Sequence, residues 1–402
     1  MVTDIADQSN ISDERLAHGS ARVEWIRSFM PVMQSICDEF EKTLPFRGRK
    51  IGVSLHIEPK TAVLLEVLQS GGADIIATGN FGTTQDDVVA HLESLGMTMF
   101  GRCDDSFDVH RGNVVNVMKS RPDIVLDNGA DLYAECARSG VASMIVGGTE
   151  ETTSGGNRLR SELETAVRFP VIVINDSPLK AIGENKHAVG QSIVESFMRI
   201  TNFMVNSRRV VVVGYGWCGR GIAQYFRPLG AKVAIVEVDE IKALEAAFDG
   251  YRVGRMEDFL VWSEVFITAT GEDRVITGEH FGKMSDGAVL VNAGHFPWEI
   301  DVDRLRKMAV SSVPIDATME RIDMPNGRHV ILIANGRMMN LSGHAPKGNS
   351  VASMDLGFAL QALSLERIAM IENNLLPGAQ PVPDDIDRRI CRMFMAVLGS
   401  EM

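Results

Sequence analysis

Cysteine is scarce and unpatterned in this chain. Cys37, Cys103, Cys136, Cys218 and Cys391 are odd in number and show no C-x-x-C spacing, which argues against a disulfide framework and a zinc site; no metal centre is expected. Basic runs are absent. With a net charge of −13 there is little to attract a phosphate backbone, so no nucleic-acid partner is expected. No apolar run approaches the roughly 20 residues of a membrane-spanning helix, and none of the sequence is low in complexity. The opening MVTDIADQSNISDERLAHGS is polar and acidic where an export signal is basic and then apolar, so the expected location is cytoplasmic. What is present is a soluble, globular composition, 45% hydrophobic and 23% charged. At 402 residues the chain is too long for one ordinary core, and two domains are expected.

Val23 to Leu44 places Trp25, Ile26, Phe29, Met33 and Ile36 at helical spacing and predicts one docking helix. From Lys50 the pattern changes to short apolar runs separated by helix-length stretches: IGVSLHI, ADIIATG, MTMFG, DIVLDNG, VASMIVGG and VIVIND. Buried parallel strands alternating with helices read this way. A helical stretch from His187 to Val205 leads to a second series, RRVVVVG, AKVAIVEVD, EVFITATG, AVLVNAGH and HVILIANG. Helical spacing returns over Ser353 to Asn373, and DDIDRRICRMFMAVLG predicts a last short helix. The expected fold is α/β, with two doubly wound Rossmann-like domains.

Gly214, Gly216 and Gly219 form G-x-G-x-x-G, weak alone but here between an apolar strand and a helix start. Such a turn lets helix amides face a pyrophosphate. Glu237, 23 residues after Gly214, closes the next strand, where a carboxylate bonds the ribose hydroxyl of NAD and repels the extra phosphate of NADP. Lys242 could neutralise that phosphate or bind a ribose oxygen. NAD is the expected cofactor.

The segments HIEPKTA (56–62), TTQD (83–86), LDNGADL (126–132), GGTEETTSG (147–155), INDSPLK (174–180), GYGWCGRG (214–221), NAGHFPWEID (292–301) and GRMMNL (336–341) occur in one order. In that order, over roughly residues 25 to 390, the chain resembles the S-adenosylhomocysteine hydrolase family. The His-x-Glu-x-Lys-Thr-Ala form resembles its shorter branch, which includes enzymes acting on the inosine analogue and lacks a C-terminal tail. The resemblance implies a substrate-binding domain of residues 1–187 plus 349–385, discontinuous in sequence, an NAD domain of 188–348 and a short C-terminal helix, 386–402. It implies a purine nucleoside substrate, a homo-oligomer (dimer or tetramer) and, without the tail, more exchangeable NAD. The implied chemistry oxidises a sugar 3′-hydroxyl with bound NAD, so that the 4′-proton becomes acidic and the 5′-substituent can leave, with no net redox change.

Carried over residue by residue, Lys180 resembles the base, and desolvation beside a cationic ring would lower its pKa. His56 and His295 resemble the pair that handles protons, and Glu151 the carboxylate that holds sugar hydroxyls. Glu58 and Lys60 are expected at the purine, either adenine or hypoxanthine. Asn80, Thr84, Gln85 and Asp127 complete the substrate side. Thr152, Thr153 and Ser154 resemble nicotinamide-side contacts, and Asn175 matches a further motif asparagine. Asn185, Trp217, Cys218, Thr270, Ala293, Gly294 and Asn340 join the glycines, Glu237 and Lys242 on the cofactor side.

Three departures fall on the substrate side. Asn128 stands where the family has an aspartate that carries a proton, and an amide cannot do so. Glu184 replaces an aspartate that bonds the ribose. Asn349 occupies the position of a histidine over the purine, with His344, in the same lengthened loop, as a possible substitute. These changes lean the reading toward a repurposed nucleoside dehydratase or lyase that leaves a 4′,5′-unsaturated product. The alternatives are a hydrolase of S-adenosyl- or S-inosylhomocysteine and an NAD-binding regulatory paralogue.

Overall fold

The computed structural model describes residues 2–140, 142–294, 297–343, 345–370 and 374–399, with side chains from Asp13 onward. His295 and His344 lie outside the described residues.

The chain forms two compact units, residues 1–180 with 351–402, and residues 181–350. In the first, the strands are β1 (Lys50–Leu55), β2 (Asp74–Gly79), β3 (Thr98–Phe100), β4 (Ile124–Asp127), β5 (Gly147–Glu150) and β6 (Pro170–Val173). In the second they are β7 (Arg209–Val213), β8 (Lys232–Val236), β9 (Arg252–Gly254), β10 (Val265–Thr268), β11 (Ala288–Asn292), β12 (Ser311–Pro314), β13 (Met319–Asp323) and β14 (His329–Ile333). A last strand, β15 (Gly378–Pro381), rejoins the first sheet beside β6.

Among the described residues the first sheet runs β15-β6-β5-β4-β1-β2-β3, all parallel. Its order reverses between β1 and β4, and a doubly wound sheet offers its ligand crevice at the carboxyl ends of such strands. The second runs β12-β13-β14-β11-β10-β7-β8-β9, with its reversal between β7 and β10. Central strands are apolar but for one terminal residue, as in β7 (RVVVV) and β11 (AVLVN), because helices cover both faces of each sheet.

The structure departs from the sequence pattern in several places. The single helix expected over 23–44 is two, Val2–Arg27 and Pro31–Thr43, because Pro31 has no N–H for the preceding turn and instead starts a new helix. Met33 and Ile36 are buried, whereas Trp25 and Phe29 are exposed. Of the next apolar run, Ala142–Met144 form a 3-10 turn and β5 begins only at Gly147, with a Cβ on Gly148 lying 2.3 Å from the Tyr133 hydroxyl and the Val125 carbonyl. The antiparallel edge β12–β13 carries no sequence signal, since it alternates weakly and its outer strand is exposed. The C-terminal helix Asp384–Val397 packs on helices Pro31–Thr43 and Val351–Ala369 within the first unit, not as a segment apart. No helix of the described residues is long and apolar enough to cross a membrane.

Candidate active site

In the first unit the sequence-expected residues gather at the carboxyl ends of β1, β2, β4 and β5. His56 follows β1, and its Nδ1 lies 2.8 Å from the Thr83 hydroxyl, while Thr61 donates to the His56 carbonyl at 2.7 Å. The buried Glu58 and Lys60 form an ion pair at 2.7 Å, two residues apart at the start of helix Pro59–Ser70. Asn80, after β2, accepts from the Ser54 hydroxyl at 3.1 Å and donates to Asn128, after β4, at 2.8 Å. Thr84 packs into the turn against Gly79, where a Cβ would lie 1.8 Å from its hydroxyl.

Lys180 and Glu151 are both buried, and Lys180 Nζ donates to Glu151 Oε1 at 2.7 Å. The second oxygen of Glu151 accepts from Gln361 Nε2 at 2.9 Å. Gln361 was invisible to motif reasoning, because it stands in an apolar helix. Thr153 accepts from Asn175 at 2.7 Å, and Ser154 lies 3.1 Å from the Thr152 hydroxyl.

Two expected substrate contacts are engaged elsewhere. Gln85 accepts from Arg22 of helix Val2–Arg27 at 2.6 Å, so its amide is drawn toward that helix. Asp127 is fully buried and accepts from the backbone N–H of Asn128, Leu132 and Tyr133 at 2.7 to 3.2 Å, which makes it the brace of helix Asp131–Ser139. Its register partner across the sheet is Glu150, unnoticed in the sequence, whose oxygens accept from the N–H of Gly129, Ala130 and Thr152 and from the Thr152 hydroxyl. Burial pushes Glu150 up to about 7, and burial together with the Glu150 charge raises Asp127 well above the ordinary carboxylate range. These two carboxylates hold the loops that carry Asn128 and Glu151.

In the second unit the glycine turn follows β7 and leads into helix Trp217–Phe226. Gly214 has φ +98°, where a Cβ would be strained and 2.8 Å from the Ala269 carbonyl; a Cβ on Gly219 would lie 2.0 Å from the Gly214 carbonyl. Gly216 has no neighbour within 4 Å of a Cβ position, open space of the kind a pyrophosphate approach requires. Arg220 lies over the Trp217 ring, and Cys218 is half-buried in the first turn of the helix. Glu237, just past β8, accepts from the N–H of Tyr215 at 2.7 Å and so ties the end of β8 to the turn. Lys242 pairs with Asp239 at 3.6 Å, the lysine in the first turn of helix Glu240–Phe248 and the aspartate at its N-cap.

Thr270 donates to Glu299 at 2.7 Å, and a Cβ on Gly294 would lie 1.5 Å from the same carboxylate; Glu299 is buried, raised above its ordinary range by that burial, and was not foreseen. Ala293 extends β11 through its N–H to the Thr268 carbonyl. Asn340 donates to the Ser192 hydroxyl at 3.0 Å, Ser192 donates to Asn349 at 3.2 Å, and Asn349 donates to Glu184 at 3.4 Å. Glu184 and Asn349, two of the departures, are thus neighbours in one polar chain. Asn185 stands one residue on, in the π-helical turn Lys180–Ala188. The open glycine turn and the Glu237 carboxylate fit NAD.

Known proteins resemble the chain over nearly its whole length. A model of the S-adenosyl-L-homocysteine hydrolase NAD-binding domain matches residues 185–345, and one of S-adenosyl-L-homocysteine hydrolase matches residues 8–141. The chain is 42% identical over 398 residues to S-inosyl-L-homocysteine hydrolase of Methanopyrus kandleri, covering 98% of this chain and 93% of that protein. It is 41% identical over 391 residues to the protein of that name from Methanosarcina acetivorans, covering 96% and 94%. To adenosylhomocysteinase of Archaeoglobus fulgidus it is 40% identical over 388 residues, covering 96% and 95%. With the glycine turn, the carboxylate after β8 and this likeness over nearly the whole length, the chain belongs to the S-adenosyl-L-homocysteine hydrolase family, and its cofactor is NAD.

Proposed function

We propose that the chain hydrolyses a purine nucleoside 5′-thioether, S-inosyl- or S-adenosylhomocysteine, to homocysteine and the nucleoside. The observation that carries this reading is the buried Lys180–Glu151 pair at 2.7 Å, a base candidate and a sugar-binding carboxylate held together. NAD, when bound, supplies the reversible oxidation of the 3′-carbon. Glu151 accepts hydrogen bonds from the sugar hydroxyls. Lys180 Nζ removes the 4′-proton, which a neighbouring ketone makes acidic; the C–H electrons become the 4′,5′ double bond as the C5′–S bond breaks, and the thiolate takes up a proton. His56 is the proton carrier at the 5′-group, with water adding afterwards at C5′. Glu58 and Lys60 offer an acceptor and a donor to the purine edge.

The named hydrolase relatives support this reading over the dehydratase one. One observation still favours the second: Asn128, Asn80 and Ser54 form a chain of neutral groups where a proton carrier is expected, which suits loss of a 5′-hydroxyl without return of water. The test is to incubate the NAD-loaded protein with each thioether and, separately, with nucleosides bearing a free 5′-hydroxyl, and to follow products by mass spectrometry. Homocysteine release is the expected result. An 18-dalton loss from the hydroxylated nucleoside, with no thiol released, overturns it in favour of the dehydratase.

A further inference from the structure

Helix Val351–Ala369 is buried on nearly all sides, and its middle reads Leu360, Gln361, Ala362, Leu363. Gln361 is fully buried there. A primary amide in such a place costs about 1–3 kcal/mol for each polar atom left without a partner. Among the described residues its Oε1 has no hydrogen-bond partner, while its Nε2 donates to Glu151 Oε2 at 2.9 Å. The other oxygen of Glu151 receives Lys180 at 2.7 Å. Leucine or methionine would suit the apolar surroundings better, so the bond to Glu151 is what offsets the cost of burying the amide.

We infer that Gln361 is a positioning residue that holds the Glu151 carboxylate from behind, so that Lys180 can give up its proton without leaving a bare buried anion. A buried carboxylate whose sole strong partner is an ammonium keeps that ammonium charged, because deprotonation would strand the negative charge. A second donor on the far oxygen stabilises the anion independently, and the lysine is released to act as base. Several charged groups on elements packed against this helix have partners of their own. Glu58 pairs with Lys60, and Asp127 and Glu150 accept from backbone N–H groups. On the helix itself, Asp355 accepts from Val32 and Met33, while Glu366 lies 3.9 Å from Arg389 of the C-terminal helix.

This inference rests on Lys180 being the base. The test uses NAD-loaded Gln361→Met, which keeps core volume, and follows exchange of the 4′-proton of S-inosylhomocysteine with deuterated solvent from acid to alkaline pH. The expected result is retained NAD, a rising limb displaced upward by about one pH unit, and exchange about tenfold slower at neutral pH that recovers at high pH. In a Glu151→Gln background the same substitution should leave the limb where it is. A uniform loss at every pH with an unmoved limb, or a shift that persists without Glu151, overturns the inference. If Gln361→Met fails to fold, Gln361→Asn, whose amide is drawn back by one methylene, gives the same readout. Lys180→Ala is the control: exchange that persists in it removes Lys180 as base, and an unmoved limb beside a dead Lys180→Ala fails Gln361 alone.

Discussion

Asn80 Nδ2 donates to Asn128 Oδ1 at 2.8 Å, and this bond joins the ends of β2 and β4 on the two sides of β1, beside the reversal of the first sheet. Asn128 is therefore held as an acceptor toward Asn80, with its own amide nitrogen turned to another direction. An aspartate would accept the same hydrogen bond and add a group able to carry a proton.

Asn128→Asp should thus fold normally and raise homocysteine release from the thioether by about tenfold or more, with a new pH limb in the rate. Steady-state assays across pH check this. An unchanged rate would mean that proton delivery at the 5′-group does not limit turnover.

The glycine turn separates binding from folding. At Gly216 a Cβ meets open space and φ is −70°, so Gly216→Ala should leave the melting temperature nearly unchanged but weaken NAD about tenfold or more by occupying the approach to the pyrophosphate. Gly219→Ala, whose Cβ would lie 2.0 Å from the Gly214 carbonyl, should lose both. Thermal melts with and without NAD, beside calorimetric titration, distinguish the two.

Glu150 offers a pH test of stability. Its carboxyl is pushed up to about 7 by burial, above its value in the unfolded chain, so its contribution is fully present below the ordinary glutamate range and is lost as pH rises through about 7. Glu150→Gln removes that titration. The stability of wild type relative to Glu150→Gln should fall by on the order of 2 kcal/mol between pH 5 and 8, as measured by urea unfolding. A constant difference would show that Glu150 is ionised throughout.

Much of the second unit was legible, because strands such as RVVVV and AVLVN are continuous apolar runs with one polar end and a glycine turn of fixed spacing follows the first of them. The site was legible as motifs, yet a motif does not say where a side chain is spent. Gln85 and Asp127 stand in matched segments, but Arg22 draws the first away and three backbone N–H groups absorb the second. Pro31 carried a boundary signal that the apolar spacing of its neighbours obscured.

Composition, the period of the apolar runs and the glycine spacing determined the α/β class and the NAD turn, and the eight short motifs in one order carried the resemblance to the family, since each depends on residues close together in the chain. The tertiary structure alone decided that Glu150 faces Asp127 and that Gln361 reaches Glu151 across 210 residues. Periodicity cannot single out a glutamine in a helix buried on nearly all sides, and a hydrogen bond between distant segments exists only once both are packed.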